Sequence, residues 1–148
     1  MSAAAEDVSR FLQANRGSAR FRVPSTALQY DALLRKGLSL GVADAAATKL
    51  GIPRERLARL IRISPSTLER RFKEKVDLTG AEADALYRII GVLGVAQRVL
   101  VNDANVRSWM SRPQPGLGDR APLDLLDNAA GTEAVTLLLE QIYHGIVP

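Results

Sequence analysis

The sequence predicts an all-α protein, and three observations carry that prediction. Hydrophobic residues make up 47% of the chain but aromatic ones only 5%, so the core is built from Leu, Val, Ile and Ala, a composition that favours helix. Apolar residues recur at i, i+4 and i+8 in several stretches, which puts them on one helical face. Between these stretches stand helix punctuation marks: Gly51, Ser64-Pro65 and Thr79-Gly80-Ala81-Glu82. At 148 residues the chain can form one domain, or two very small ones, with a real core.

Taken in order, residues 1–23 read as a mobile N-terminal arm. Val8, Phe11 and Leu12 would fit one face of a short helix, but Gly17 with Arg16, Arg20 and Arg22 argues for a basic, solvated tail. Pro24 and Ser25 end it. Residues 26–36 read as a helix with Leu28, Ala32 and Leu33 inward, stopped by Gly37. A second helix, 42–50, turns Val42, Ala46 and Leu50 to the core, and Gly51 stands where a left-handed C-terminal cap is needed. Pro53 opens a third helix and Ser64-Pro65 a fourth. The Thr79–Glu82 capping box starts a long fifth helix with Ala83, Leu86, Ile89, Ile90, Leu93 and Val101 in the core. A short helix over 106–111 carries the only Trp, Trp109. Two prolines and two glycines make 112–118 a loop. Residues 122–126 form a helical turn, and a last helix begins at Gly131-Thr132-Glu133, with Val135, Leu138, Leu139 and Ile142 along one side. Ile146, Val147 and Pro148 remain as an apolar tail.

The third and fourth helices carry the first functional signal. Leu57, Leu60 and Ile61 share a face beside the small Ala58, and Ile63 closes a tight corner. Ser64 supplies an N-cap oxygen and Pro65 occupies the first helical position, where a missing N–H is harmless. Leu68, Phe72 and Val76 then recur at i, i+4 and i+8, while Ser66, Thr67, Arg70, Arg71 and Lys73 take the opposite face. This is the form of a helix-turn-helix, whose second helix offers its N-terminal side chains to base edges in a major groove. Exposed N–H groups near Ser64 and Ser66 suit a phosphate. Over 52–75 there are eight Lys/Arg against three Glu, while the whole chain carries a net charge of only +4. The positive charge is therefore concentrated on the motif, as an electrostatic footprint for DNA should be. Arg62 takes the corner position usually given to Gly. A left-handed conformation there costs roughly 1–2 kcal/mol, so the corner either turns differently or carries strain.

Several function classes are disfavoured. The chain has no cysteine and one histidine, which leaves no disulfide frame and no convincing metal set. No run approaches the roughly 18 apolar residues of a membrane span, and the first twenty residues lack the pattern of a signal peptide. A soluble cytoplasmic protein without a membrane partner is the expectation. No P-loop, metalloprotease helix or nucleophile elbow occurs. Gly116-Leu117-Gly118 is too short for a dinucleotide fingerprint and follows no strand. Asp124 and Asp127, at i and i+3, are ordinary surface acids. Neither an enzyme nor a cofactor is expected.

The rear half carries a more specific signal. Residues 109–126 read W-M-S-R-P-Q-P-G-L-G-D-R-A-P-L-D-L-L, followed by G-T-E-A-V at 131–135 and I-Y-H-G-I at 142–146. In this order the Trp helix, Pro-Gly loop, P-L-D-L-L turn and closing helix resemble the toxin-binding domain of the Xre/MbcA/ParS antitoxin family. Asp119 and Ala121 stand where that family often has Gly and Thr. The resemblance covers about residues 78–148, and the helix-turn-helix head over 24–77 sits where the family has one. The subfamily it resembles most pairs with RES-domain toxins.

That resemblance implies an antitoxin of a type II system, which neutralises a RES-type, NAD-consuming toxin and represses its own operon through the head. The implied partners are the cognate toxin, operator DNA and further copies of the chain, as a homodimer and as hetero-oligomers with toxin. Ser64, Ser66, Thr67, Arg70, Arg71 and Lys73 would meet DNA. Arg112 and Arg120, flanking the loop, would offer charge to the toxin, unless they pin the loop to carboxylates such as Asp124. Ile142, Tyr143, Ile146 and Val147 would serve as apolar anchors beside His144 and Gly145. Trp109 reads as core. The competing interpretation is a free-standing helix-turn-helix regulator whose rear half dimerises or binds a ligand.

Overall fold

A computed structural model describes residues 3–14 and 26–146. In chain order the helices are α1 (Ala3–Ala14), α2 (Ala27–Lys36), α3 (Leu40–Leu50), α4 (Arg54–Leu60), α5 (Pro65–Glu74), α6 (Gly80–Leu100), α7 (Asp103–Ser111) and α8 (Ala129–Tyr143). Two 3-10 turns, Pro115–Leu117 and Pro122–Leu125, lie between α7 and α8. Among the described residues the β pairing consists of isolated bridges, so the all-α expectation holds.

The long helix α6 is the organising element. Ala83, Leu86, Ile89, Ile90 and Leu93 are buried along it as its periodicity predicts, and α1, α2, α3, α7 and α8 all pack against it. Its start is fixed by Thr79, whose backbone N–H donates to Glu82 Oε2 at 3.3 Å. One bridge closes the front half. The Leu38 N–H donates to Leu78 O at 2.7 Å and the Leu78 N–H to Leu38 O at 3.0 Å, which ties the link before α3 to the link before α6. Both leucines are fully buried.

Several sequence expectations need correction. Where a mobile arm was expected over 1–23, residues 3–14 form α1, and Val8, Phe11 and Leu12 are buried. The apolar face outweighs the basic composition of the stretch that follows it. Gly17, Arg16, Arg20, Arg22, Pro24 and Ser25 lie outside the described residues, as do Val147 and Pro148. In α2, Leu33 is buried but Leu28 is 81% exposed and Ala32 is exposed too; the inward stripe is Tyr30, Leu33 and Leu34. Val76 was expected to continue the face of Leu68 and Phe72. Instead α5 ends at Glu74, Lys75 turns left-handed at φ 55°, and Leu78 takes the buried position. Val101 was expected in the core of α6, but the helix stops at Leu100. Val101 sits at φ 79°, 81% exposed, with the Asn102 N–H bonded back to Leu100 O at 3.0 Å. The last helix begins two residues earlier than Gly131, capped by Asn128, whose side chain accepts from the Gly131 N–H.

Candidate functional site

The front surface is built by α4 and α5. Leu57, Ala58, Leu60 and Ile61 are buried on one side of the corner and Leu68 on the other, so the two helices are fixed by apolar contact. At the corner Arg62 does adopt the left-handed conformation, with φ 63°. The strain is accepted rather than avoided, and the Arg62 guanidinium reaches Asp127 O at 3.5 Å. Ser64 caps α5 as expected: its Oγ accepts from the Thr67 N–H at 3.1 Å and lies 2.7 Å from Thr67 Oγ1 and 3.2 Å from Ser66 Oγ. Thr67 is therefore half-buried in the cap network. Ser66, Arg70 and Lys73, at i, i+4 and i+7, share one exposed face.

Arg71 is placed differently from its sequence neighbours. Its Nη1 donates to Glu82 Oε2 at 2.8 Å and its Nη2 to Glu82 Oε1 at 2.6 Å. Nη1 also reaches Asp77 O at 3.3 Å. Both side chains are largely buried, at 21% and 17% exposed, so Arg71 clamps α5 to the start of α6. Other cations of the segment are similarly occupied. Arg54 grips Asp44 with two 2.8 Å bonds and lies 3.6 Å above the Phe72 ring; its hydrogen bond to Asp44 raises its pKa above the ordinary value. Arg59 pairs with Glu55, and Arg56 with Asp124 at 2.8 Å. Arg70, Lys73 and Lys75 keep their side chains without a partner among the described residues.

The rear half carries two candidate regions, the Pro-Gly loop and the end of α8. Gln114 organises the loop, donating to Trp109 O at 3.1 Å and Arg112 O at 3.2 Å, while its backbone bridges Arg120. Gly118 and Asp119 both turn left-handed, at φ 65° and 60°, which explains why glycine suits the second position as well. Arg112 bonds Ser108 O at 3.2 Å and stays exposed. Arg120 is exposed as well. Neither pairs with Asp124, which Arg56 takes instead. Trp109 is core, 8% exposed.

At the end of α8 the Gly145 N–H donates to Ile142 O at 3.1 Å and the Ile146 N–H to Gln141 O at 2.8 Å. This pair of bonds is a Schellman cap, made possible by φ 71° at Gly145. The cap turns the chain sharply and fixes Ile146. Ile142, Tyr143 and Ile146 are 38%, 54% and 55% exposed, His144 lies open beside the Tyr143 ring, and Val147 is outside the described residues. Ile142, Tyr143 and Ile146 leave an apolar end on the bundle. Sequence reasoning missed Arg98 beneath this end. It donates to Glu140 Oε1 at 2.9 Å, lies 3.5 Å from Asp7 Oδ2, and sits 5.1 Å from the Tyr143 ring centroid. Partners 42 and 91 residues away leave no local pattern to read.

A cleft of about 430 Å³ between α1, α3 and α6 includes Asp7, Arg10, Lys49 and Arg98. Lys49 pairs with Asp103 at 2.9 Å, and that hydrogen bond holds the Asp103 carboxyl below its ordinary value. With Arg98 also paired, the cleft offers little free charge to an anion. No group of side chains suited to a metal occurs among the described residues, and no helix there is long and apolar enough to cross a membrane.

Comparison with known proteins matches both surfaces. The family described as the antitoxin Xre/MbcA/ParS C-terminal toxin-binding domain matches residues 95–145, and the antitoxin Xre-like helix-turn-helix domain matches 29–91. An antitoxin Xre of Yersinia enterocolitica is 29% identical over 114 residues, 76% of this chain and 77% of that one. An antitoxin Xre of Pseudomonas putida is 29% identical over 79 residues, 53% and 50% of the two chains. In fold, the chain is similar to one in the crystal structure of the M. tuberculosis MbcT-MbcA toxin-antitoxin complex, with a TM-score of 0.57 at 22% identity, covering 72% of this chain and 94% of that one.

Proposed function

The chain belongs to the Xre/MbcA/ParS antitoxins, toxin-binding regulators rather than enzymes, and we propose that it neutralises a RES-type, NAD-consuming toxin of a type II system in the cytoplasm. The carrying observation is the bare apolar end of α8. Tyr143 and Ile146 are more than half exposed on a capped turn at the very end of the toxin-binding match, which runs to residue 145. Apolar side chains held in place before binding lose little entropy on contact, and a few such anchors carry most of the energy of an interface. Residues Ile142 to Val147 form this anchor set, with Arg112 and Arg120 on the Pro-Gly loop as further charged contacts.

The proposed second role is repression of its own operon by the front surface, as a homodimer and in hetero-oligomers with toxin. Ser66, Arg70 and Lys73 face the groove, while Ser64 and Thr67 shape the helix start that receives a phosphate. Arg71 acts behind this face, holding α5 in place.

Expression of the adjoining gene alone, then with this chain, tests the first role. Growth arrest with loss of cellular NAD, reversed by co-expression, supports it; a harmless neighbour removes its basis and leaves the free-standing regulator. Salt titration of operator binding tests the second. The two free cations on the groove face, Arg70 and Lys73, give a slope of log K against log salt of about −1.8 per copy. A flat response would exclude groove binding.

A further inference from the structure

Helix α1 lies ahead of both matched regions, and its role follows from what it touches. It is seated closely on α6: a Cβ built on Gly94 would lie 2.5 Å from Asp7 Cβ, and one on Gly91 would lie 3.7 Å from Val8. Ser9, buried within α1, is hydrogen-bonded to Tyr30 OH at 2.8 Å. The helix is thus fixed in height and rotation. That placement delivers Asp7, whose side chain is only 10% exposed, to Arg98.

Arg98 stands in the last turn of α6 and is itself 26% exposed. One nitrogen holds Glu140 at 2.9 Å, another approaches Asp7 at 3.5 Å, and the guanidinium lies under the Tyr143 ring. Glu140 is one turn before the cap, and its backbone carbonyl accepts from the His144 N–H. A single guanidinium therefore connects α1 to the turn that carries Tyr143, Gly145 and Ile146. Without Asp7 the cation would be free to follow Glu140 outward, and the Tyr143 ring would lose the surface it rests on.

We propose that Arg98 is a positioning residue for toxin binding, and that α1, through Asp7, holds Arg98 in place so that Tyr143 and Ile146 leave the bundle in the direction the toxin requires. This rests on the neutralising role proposed above. It assigns α1 to the rear surface, although α1 is the first helix of the chain.

The experiment is a double-mutant cycle on the full chain, with the affinity for the protein encoded by the adjoining gene as readout and thermal unfolding as control. Arg98→Met should weaken binding about tenfold and Asp7→Ala about threefold, with Arg98→Lys recovering part of the loss. In a chain lacking residues 143–148 neither substitution should have any further effect, because the Tyr143 ring and the cap that they orient are gone. Equal effects in both backgrounds would overturn the proposal, showing that Arg98 contributes to general stability. Loss with Arg98→Met but none with Asp7→Ala would overturn the role of α1. If removal of 143–148 leaves affinity unchanged while binding persists, the tail reading itself fails. If the adjoining protein does not bind at all, the neutralising role fails instead.

Discussion

The front and rear surfaces differ in how much of their binding material is already used. Over 52–75 the sequence places eight cations, yet Arg54, Arg56, Arg59, Arg62 and Arg71 all bond within the chain. Only Arg70, Lys73 and Lys75 stay unengaged among the described residues. The rear surface shows the reverse. Its apolar residues could have joined the core, but Tyr143 stays exposed at the end of α8 and Ile146 is turned outward by the cap at Gly145. Net charge counted along a chain thus overstates what is available to a phosphate, while apolar side chains at a helix end can stay exposed on a hydrogen-bonded turn.

The sharpest way to break the contrast is to unseat α8. A Cβ on Gly131 would collide with the Leu125 carbonyl oxygen, and backbone cannot swing aside as a side chain can. Gly131→Ala should destabilise the protein by about 3 kcal/mol, measured by urea unfolding, and should take toxin binding with it. An unchanged midpoint would mean that α8 is free to shift. Next is Ile146→Asp, which puts a charge into the apolar end. Binding to toxin should weaken by about 2 kcal/mol, roughly 30-fold, with the unfolding midpoint unmoved, as titration calorimetry would read. Undiminished affinity would place the contact elsewhere.

On the front, Arg71→Ala and Arg70→Ala should separate cleanly. Removing Arg71 leaves Glu82 largely buried without its partner, and should cost about 1.5 kcal/mol of stability. Arg70→Ala should cost under about 0.5 kcal/mol yet weaken operator binding more than any loss of fold explains. Equal stability effects would undo the distinction between clamp and contact. The smallest expected effect is at Val101. A β-branched residue at φ 79° with its side chain in water gains nothing to offset its strain. Val101→Gly should raise stability by roughly 0.5–1 kcal/mol, visible as a higher melting temperature.

What the sequence made legible was local. The caps at Gly51, Ser64 and Glu82 and the α6 stripe from Ala83 to Leu93 follow from residues a few positions apart, and the structure has them; at Arg62 the sequence allows either a different turn or strain, and the structure has the left-handed corner. The apolar face of α1 is legible too, but the neighbouring arginines are equally the composition of a solvated tail. The pairings of Arg71 with Glu82, Arg56 with Asp124 and Arg98 with Glu140 were not legible. Charges meeting across 11, 68 and 42 positions are set by how helices pack, and no period or spacing announces them. The face of α2 failed for a related reason: a stripe at Leu28 and Ala32 and one at Tyr30, Leu33 and Leu34 are both plausible until a neighbour decides between them.

The two matched regions meet between residues 91 and 95, inside α6. Exchange of halves between relatives would therefore cut through an unbroken rod if the joint were placed at that seam. Chimeras that keep Gly80–Leu100 from a single parent should fold, and the specificity of each parent for toxin or operator could then be transplanted as a unit.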